Sequence, residues 1–180
     1  MKRPHDTAAY LPGIVRAAAL AAALGLTACY AYYVAFSSFA SYDDEGFLDL
    51  SLRHFIQGRP LYDEVFTQYG PFYYLFNGAV FQLVGVPVDN DSMRLLVIGV
   101  WLMCAAAAAL CTLRLTGSVV LAVAALAVTG VHLGVLANEP GHPQALSILF
   151  VILLPTAAAF SANAAARWSA RLSAQSSAVF

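Results

Sequence analysis

Asp43-Asp44-Glu45 follows directly on an uncharged stretch, Ala17 to Tyr42, that is long enough to cross a bilayer. Carboxylates at the mouth of a membrane helix stand where hydrocarbon gives way to water, within reach of both a lipid-borne group and a soluble one. Stability alone does not account for three of them side by side, because they repel one another and bring no helical stripe to bury. A carboxylate partly shielded from water at such an edge has its pKa raised toward a value useful for proton transfer. The plain alternative is an N-cap, Asp43 or Asp44, before a helix whose first turn holds Glu45.

A second polar group is the run Asn138-Glu139-Pro140-Gly141-His142-Pro143. Glu139 and His142 could hold a phosphate, or with Asp44 bind a divalent cation through carboxylates, the one cofactor left open. The same run is rich in turn formers and reads equally well as a polar turn. Arg53, Arg59 and Arg94 carry guanidinium groups that match phosphate geometry, though each also suits a headgroup or helix-end anchor. Tyr69, with Tyr73 and Tyr74, suits the headgroup zone, where a ring has one dry and one wet end. His5, His54, His132 and His142 are scattered, and Cys29, Cys104 and Cys111 fall in apolar stretches without CxxC spacing. A dedicated metal cage is therefore not expected. No basic patch or stripe is present, which argues against nucleic acid as a partner.

The elements that must position these residues are membrane helices. Hydrophobic residues make up 61% of the 180 and charged residues 11%, with a mean hydropathy of +0.72; a soluble domain carries about 25% charged residues. Four stretches reach the length a roughly 30 Å hydrocarbon layer demands: Ala17–Ala40, Leu95–Leu113, Gly117–Ala137 and Ala145–Ala166. Phe72–Val86 would reach only about 22 Å at 1.5 Å per residue. If it does not cross, Lys2, Arg3, Arg16, Arg114, Arg167 and Arg171 share the cytoplasmic side, six of the nine basic residues. If it does cross, that excess disappears, so the positive-inside rule favours four spans with a cytoplasmic N-terminus. The acidic run and the Glu139–His142 loop then share the external face. Leu26-Thr27-Ala28-Cys29 matches a lipoprotein processing box, but apolar residues continue past Cys29, so the first helix is read as retained.

The expected fold is all-α. A polytopic bundle of four spans, residues 1–166, carries an interfacial amphipathic helix and a short re-entrant or interfacial helix in its first external loop. Residues 167–180 form a frayed cytoplasmic tail. The amphipathic helix covers about Asp44–Gln57, with Leu48, Leu52 and Phe55 on its apolar side and Asp49 and Arg53 as an i,i+4 pair opposite. Gly58-Arg59-Pro60 ends it, Gly70-Pro71 opens the short helix, and Arg94 stands before the second full span.

The pattern Asp43-Asp44-Glu45-Gly46-Phe47…Gly58-Arg59-Pro60-Leu61-Tyr62…Gln68-Tyr69-Gly70-Pro71…Gly85…Arg94 resembles the start of GT-C-type glycosyltransferases. These are the polyprenyl-phosphate-sugar-dependent enzymes that include protein O-mannosyltransferases and lipid A aminoarabinose transferases. The resemblance spans roughly residues 17–155. It implies a sugar moved from a polyprenyl-phosphate donor to an acceptor at the outer face of a bacterial inner membrane, with inversion at the anomeric carbon. It further implies Asp44 as catalytic base, with Asp43 and Glu45 beside it, and Glu139, His142, Arg53, Arg59 and Tyr69 on the substrate side. Family members are much longer and carry more spans, so the chain reads as an N-terminal module, a truncated product, or half of a split enzyme with a companion membrane subunit. No Lys lies near the Tyr69-Gly70-Pro71 turn, where some relatives set one against phosphate. Outside the family, the chain fits a non-catalytic membrane subunit. A transporter or channel component would carry ionisable residues within its spans, and apart from His132 there are none.

Overall fold

The structure, a computed structural model, describes residues 13–37 and 45–177; for Asn138 and residues 162–177 only the backbone is described. Among the described residues six α-helices follow one another: α1 Gly13–Ser37, α2 Glu45–Ile56, α3 Pro71–Val84, α4 Asn90–Thr116, α5 Val119–Leu133 and α6 Gln144–Ser177. A 3-10 turn, Gly134–Asn138, continues α5. There is no strand among the described residues, only an isolated bridge between Leu61 and Val65.

Among the described residues four segments are long and apolar enough to cross a membrane: α1, α4, α5 with its 3-10 extension to Ala137, and Gln144–Ser161 of α6. α3 is not among them; its 14 residues extend only about 21 Å. The outer faces of the long helices bear exposed Leu26, Val120, Val128 and Leu154, apolar side chains on surfaces that suit lipid. The chain is thus a multi-pass membrane protein by architecture. Two boundaries differ from expectation. α4 begins at Asn90 because Asp89 caps it, its Oδ1 accepting from the Ser92 N–H at 2.8 Å. Beyond 166, where a frayed tail is expected, α6 remains helical to Ser177.

α4 is the central post and packs against α1, α5 and α6. It ends at Gly117, whose φ of 69° no β-carbon would tolerate cheaply, and the Ser118 cap starts α5 at once. So short a link makes α4 and α5 antiparallel neighbours. Small residues set the helix spacing: Ala105, Ala109 and Ala122 cluster around Leu126. A β-carbon at Gly130 would sit 2.3 Å from Cγ2 of Thr27, so α1 and α5 meet nearly backbone to backbone there.

The alternation of directions gathers the end of α1, the start of α4, the end of α5 and the start of α6 at one end of the bundle. Contacts bear this out. The Arg94 guanidinium donates to the Ala35 carbonyl at 2.8 Å, Gly134 lies against the Tyr30 ring, and Gly141 lies over Met93. α2, α3 and the 139–143 loop cover the same end, where the larger core packs Leu48, Leu52, Tyr74, Met93, Trp101 and Leu146.

Candidate functional site

α2 lies against α4 because of a charge pair rather than its apolar stripe alone. Glu45 and Arg94, 49 residues apart, are 1% and 3% exposed. Arg94 Nε donates to Glu45 Oε1 at 2.7 Å and Nη2 to Oε2 at 2.6 Å, while Nη1 takes the Ala35 carbonyl. This two-point fork satisfies both carboxylate oxygens and ties α1, α2 and α4 together. Glu45, expected beside Asp44 in the catalytic group, is a buried anchor with both carboxylate oxygens bonded. Arg94 likewise spends its guanidinium on this pair rather than standing at the interface as a phosphate ligand.

One turn further along α2, Asp49 shares the buried face with Glu45, Leu48 and Leu52. It is 2% exposed, and neither of its oxygens has a hydrogen-bond partner. Burial pushes its pKa up to about 7, with the Glu45 charge adding to the rise and Arg53 opposing it. The expected solvated Asp49–Arg53 pair is not what forms. Arg53 instead turns its Nε to the Val88 carbonyl at 2.5 Å.

On α3, Tyr73 and Tyr74 are both buried, but only one is satisfied. The Tyr74 hydroxyl bonds Thr67 Oγ1 at 2.7 Å. The Tyr73 hydroxyl, on a residue 4% exposed, has no partner. Its pKa is raised by burial, with the Asp49 charge adding to the rise. The loop after α5 roofs it: Gly141, held at φ 85°, brings its α-carbon region over the Tyr73 hydroxyl and Met93.

Next to this pair, Gln68, Tyr69, Tyr73, Pro143, Ser147 and Phe150 line a cleft of about 280 Å³ between α3 and α6. The Tyr69 ring lies tilted 6.1 Å from Tyr73 and meets His142 edge to face at 5.2 Å, so two of the expected substrate-side residues come together across 73 positions of sequence. His142 Nδ1 accepts from the Gln144 N–H at 3.3 Å. Glu139 is exposed and borders a separate hollow with Val135, Leu136 and Gln144. Arg53 lines a cleft of about 610 Å³ with Gln57, Gln82 and Asp89, and Arg59 is exposed beyond the end of α2.

Asp43 and Asp44 lie outside the described residues. Among the described residues no group of three His, Cys, Asp or Glu could hold a metal ion. Sequence reasoning missed Asp49 and Tyr73. The spacing of Asp49 from Glu45 and Leu52, four and three positions, was the signal that it flanks the buried stripe. Comparison with family models, with characterised proteins and with solved structures finds no match to the chain.

Proposed function

We propose that the protein is a membrane glycosyltransferase module, acting alone or with a companion membrane subunit. It moves a sugar from a polyprenyl-phosphate donor to a hydroxyl acceptor at the outer face of a bacterial inner membrane, with Asp44 as general base. What supports this reading is the meeting of residues that carry the family resemblance. Glu45 and Arg94 pair, and Tyr69 touches His142 of the second polar loop, all at one end of the bundle. Such an end, with polar groups set above an apolar bundle, suits a substrate whose sugar is wet and whose tail is in lipid.

The reaction needs the acceptor hydroxyl to lose its proton to Asp44 while its oxygen bonds the anomeric carbon. The carbon–oxygen bond to phosphate breaks as polyprenyl phosphate leaves with the electron pair. General base removal is expected to lower the rate by about 100-fold or more. Complementation of a glycosylation-deficient strain with Asp44→Asn is expected to fail, while Asp43→Asn complements. Full glycosylation by Asp44→Asn refutes the assignment. A reporter fused after Arg167 is expected on the cytoplasmic side, and an external signal there refutes the four-span orientation.

A further inference from the structure

The corner where α2, α3 and the start of α4 meet holds two adjoining hollows. The larger, about 610 Å³, is lined by Arg53, Gln57, Gln82 and Asp89 over an apolar floor that includes Phe81 and Val86. Its volume falls within the roughly 300–1,000 Å³ of small-molecule pockets. The smaller, about 240 Å³, is largely apolar and lies between α3 and the first turns of α4, walled by Val80, Val84, Leu95 and Leu96. Phe81 and Val86 line both, and Val86 is 42% exposed, so the two hollows lie side by side at the surface. Depth separates them. α4 starts at its Asp89 cap, and Leu95 lies about 9 Å further along the helix at 1.5 Å per residue. With α4 crossing the bilayer, the polar hollow is at the level of lipid headgroups and the apolar one at the level of acyl chains.

The charges in the polar hollow suit a partner that carries both signs. Arg53 is held there by Nε, which donates to the Val88 carbonyl at 2.5 Å, so Nη1 and Nη2 are the donors left for a ligand. The next residue, Asp89, accepts from the Ser92 N–H at Oδ1, which lowers its pKa and keeps its carboxylate ionised. Arg53 and Asp89 thus line one cleft with each charge tied to a different backbone group, and they form no ion pair with each other. The amides of Gln57 and Gln82 add groups that both donate and accept. We propose that this corner binds a phospholipid with a phosphoethanolamine headgroup, its phosphate on Arg53, its ammonium on Asp89 and the start of an acyl chain in the apolar hollow. A guanidinium matches phosphate oxygens, and a primary ammonium brings N–H donors that carboxylate and amide oxygens accept. A purely anionic lipid, or a polyprenyl phosphate, would meet the Asp89 charge with one guanidinium in the cleft to offset it. A choline headgroup carries the same two charges but has no N–H to donate. Lipid binding here needs only the membrane architecture and this corner, and does not rest on glycosyl transfer.

Lipid preference supplies the test. The full chain, delipidated in detergent, is titrated with dioleoyl phosphatidylethanolamine, phosphatidylcholine and phosphatidylglycerol and read by native mass spectrometry. Soluble glycerophosphoethanolamine and a short polyprenyl phosphate are further arms. Wild type is expected to bind the ethanolamine lipid about tenfold more tightly than the other two diacyl lipids, the worth of one charge-assisted hydrogen bond. The soluble headgroup is expected to bind about tenfold or more weakly than the whole lipid, because it leaves the apolar hollow empty. Asp89→Asn keeps a capping side chain but removes the charge. It is expected to lose the preference for ethanolamine and to gain affinity for the glycerol lipid, while Arg53→Gln weakens both by about tenfold. Misfolding would not reverse a lipid preference through one near-isosteric change. Val84→Trp, at a 62% exposed wall of the apolar hollow, is expected to weaken every diacyl lipid and to leave the soluble headgroup unaffected. Equal affinity for the three diacyl lipids overturns the proposal, as does an unchanged preference in Asp89→Asn. A soluble headgroup that binds as tightly as the lipid also overturns it. So does polyprenyl phosphate binding more tightly than the ethanolamine lipid and being lost in Arg53→Gln, which assigns the cleft to a lipid-linked donor.

Discussion

Replacing Asp49 by Asn tests the electrostatics of α2 without reference to any ligand. The Asp49 carboxyl is pushed from an ordinary 3.8 to about 7 in the folded protein. The folded state therefore holds a proton that the unfolded chain releases between those values, and unfolding becomes easier as pH rises across that window. Each pH unit is worth about 1.4 kcal/mol, so wild type loses about 4 kcal/mol of stability between pH 4 and pH 7 from this group alone. Above the folded value the loss is complete and the curve flattens. Asn keeps the shape and removes the titration. Wild type and Asp49→Asn are expected to unfold alike near pH 4, with the variant the more stable by about 4 kcal/mol at pH 8. The measurement is reversible unfolding in mixed micelles of dodecyl maltoside and SDS across pH 4 to 8, with the difference between the two curves isolating Asp49. Parallel curves would refute the reasoning, because they would mean that Asp49 is ionised in the folded state and has a partner there.

Three further contacts are tested by substitution. Glu45→Ala or Arg94→Ala strands a buried charge and is expected to cost about 3–5 kcal/mol, whereas the double change Glu45→Leu with Arg94→Met regains most of it; the same micelle titration reads this out. Gly141→Ala forces a β-carbon into φ 85° and to 3.0 Å from Met93 Cγ. It is expected to cost about 1–2 kcal/mol for the backbone alone, so Met93→Ala restores only part of the loss. Gly130→Ala drives a β-carbon into Thr27 Cγ2 and is expected to cost about 1–3 kcal/mol. Thr27→Ser removes that methyl while keeping the hydroxyl on the Ala23 carbonyl, and recovery in the double variant by thermal unfolding confirms the α1–α5 contact.

The bundle is legible in the sequence because the bilayer reduces it to length and charge. A 14-residue α3 is too short to cross, which leaves four segments of spanning length among the described residues. The site is less legible, since its chemistry depends on which polar residues the fold covers. Asp49 followed four positions later by Arg53 looks like a solvated helical pair. Only the packing of α2 onto α4, with α3 and the Gly141 loop beside it, puts the carboxyl in the dark and sends the arginine to Val88. Glu45 and Arg94 both head helices at what reads as a watery boundary, and nothing local says that they meet. Tyr69 and His142 were placed on one face by topology, but their contact comes from the turn at Gly70-Pro71 bringing α3 against the start of α6.

One helix therefore carries two carboxylates a turn apart with opposite fates. Glu45 receives two donors from one guanidinium, and its burial cost is offset by charge and by geometry. Asp49 receives none, and among the described residues the cations acting on it are Arg53, held by Val88, and Arg94, held by Glu45. The two facts are linked. Because Arg94 is fixed by its fork and by the Ala35 carbonyl, it cannot swing one turn along α2 to neutralise Asp49. The anchor that seats the helix is the same interaction that leaves its neighbour unpaired. As long as the Glu45–Arg94 fork seats α2, Asp49 stays buried and unbonded, and its carboxyl is held toward the protonated form.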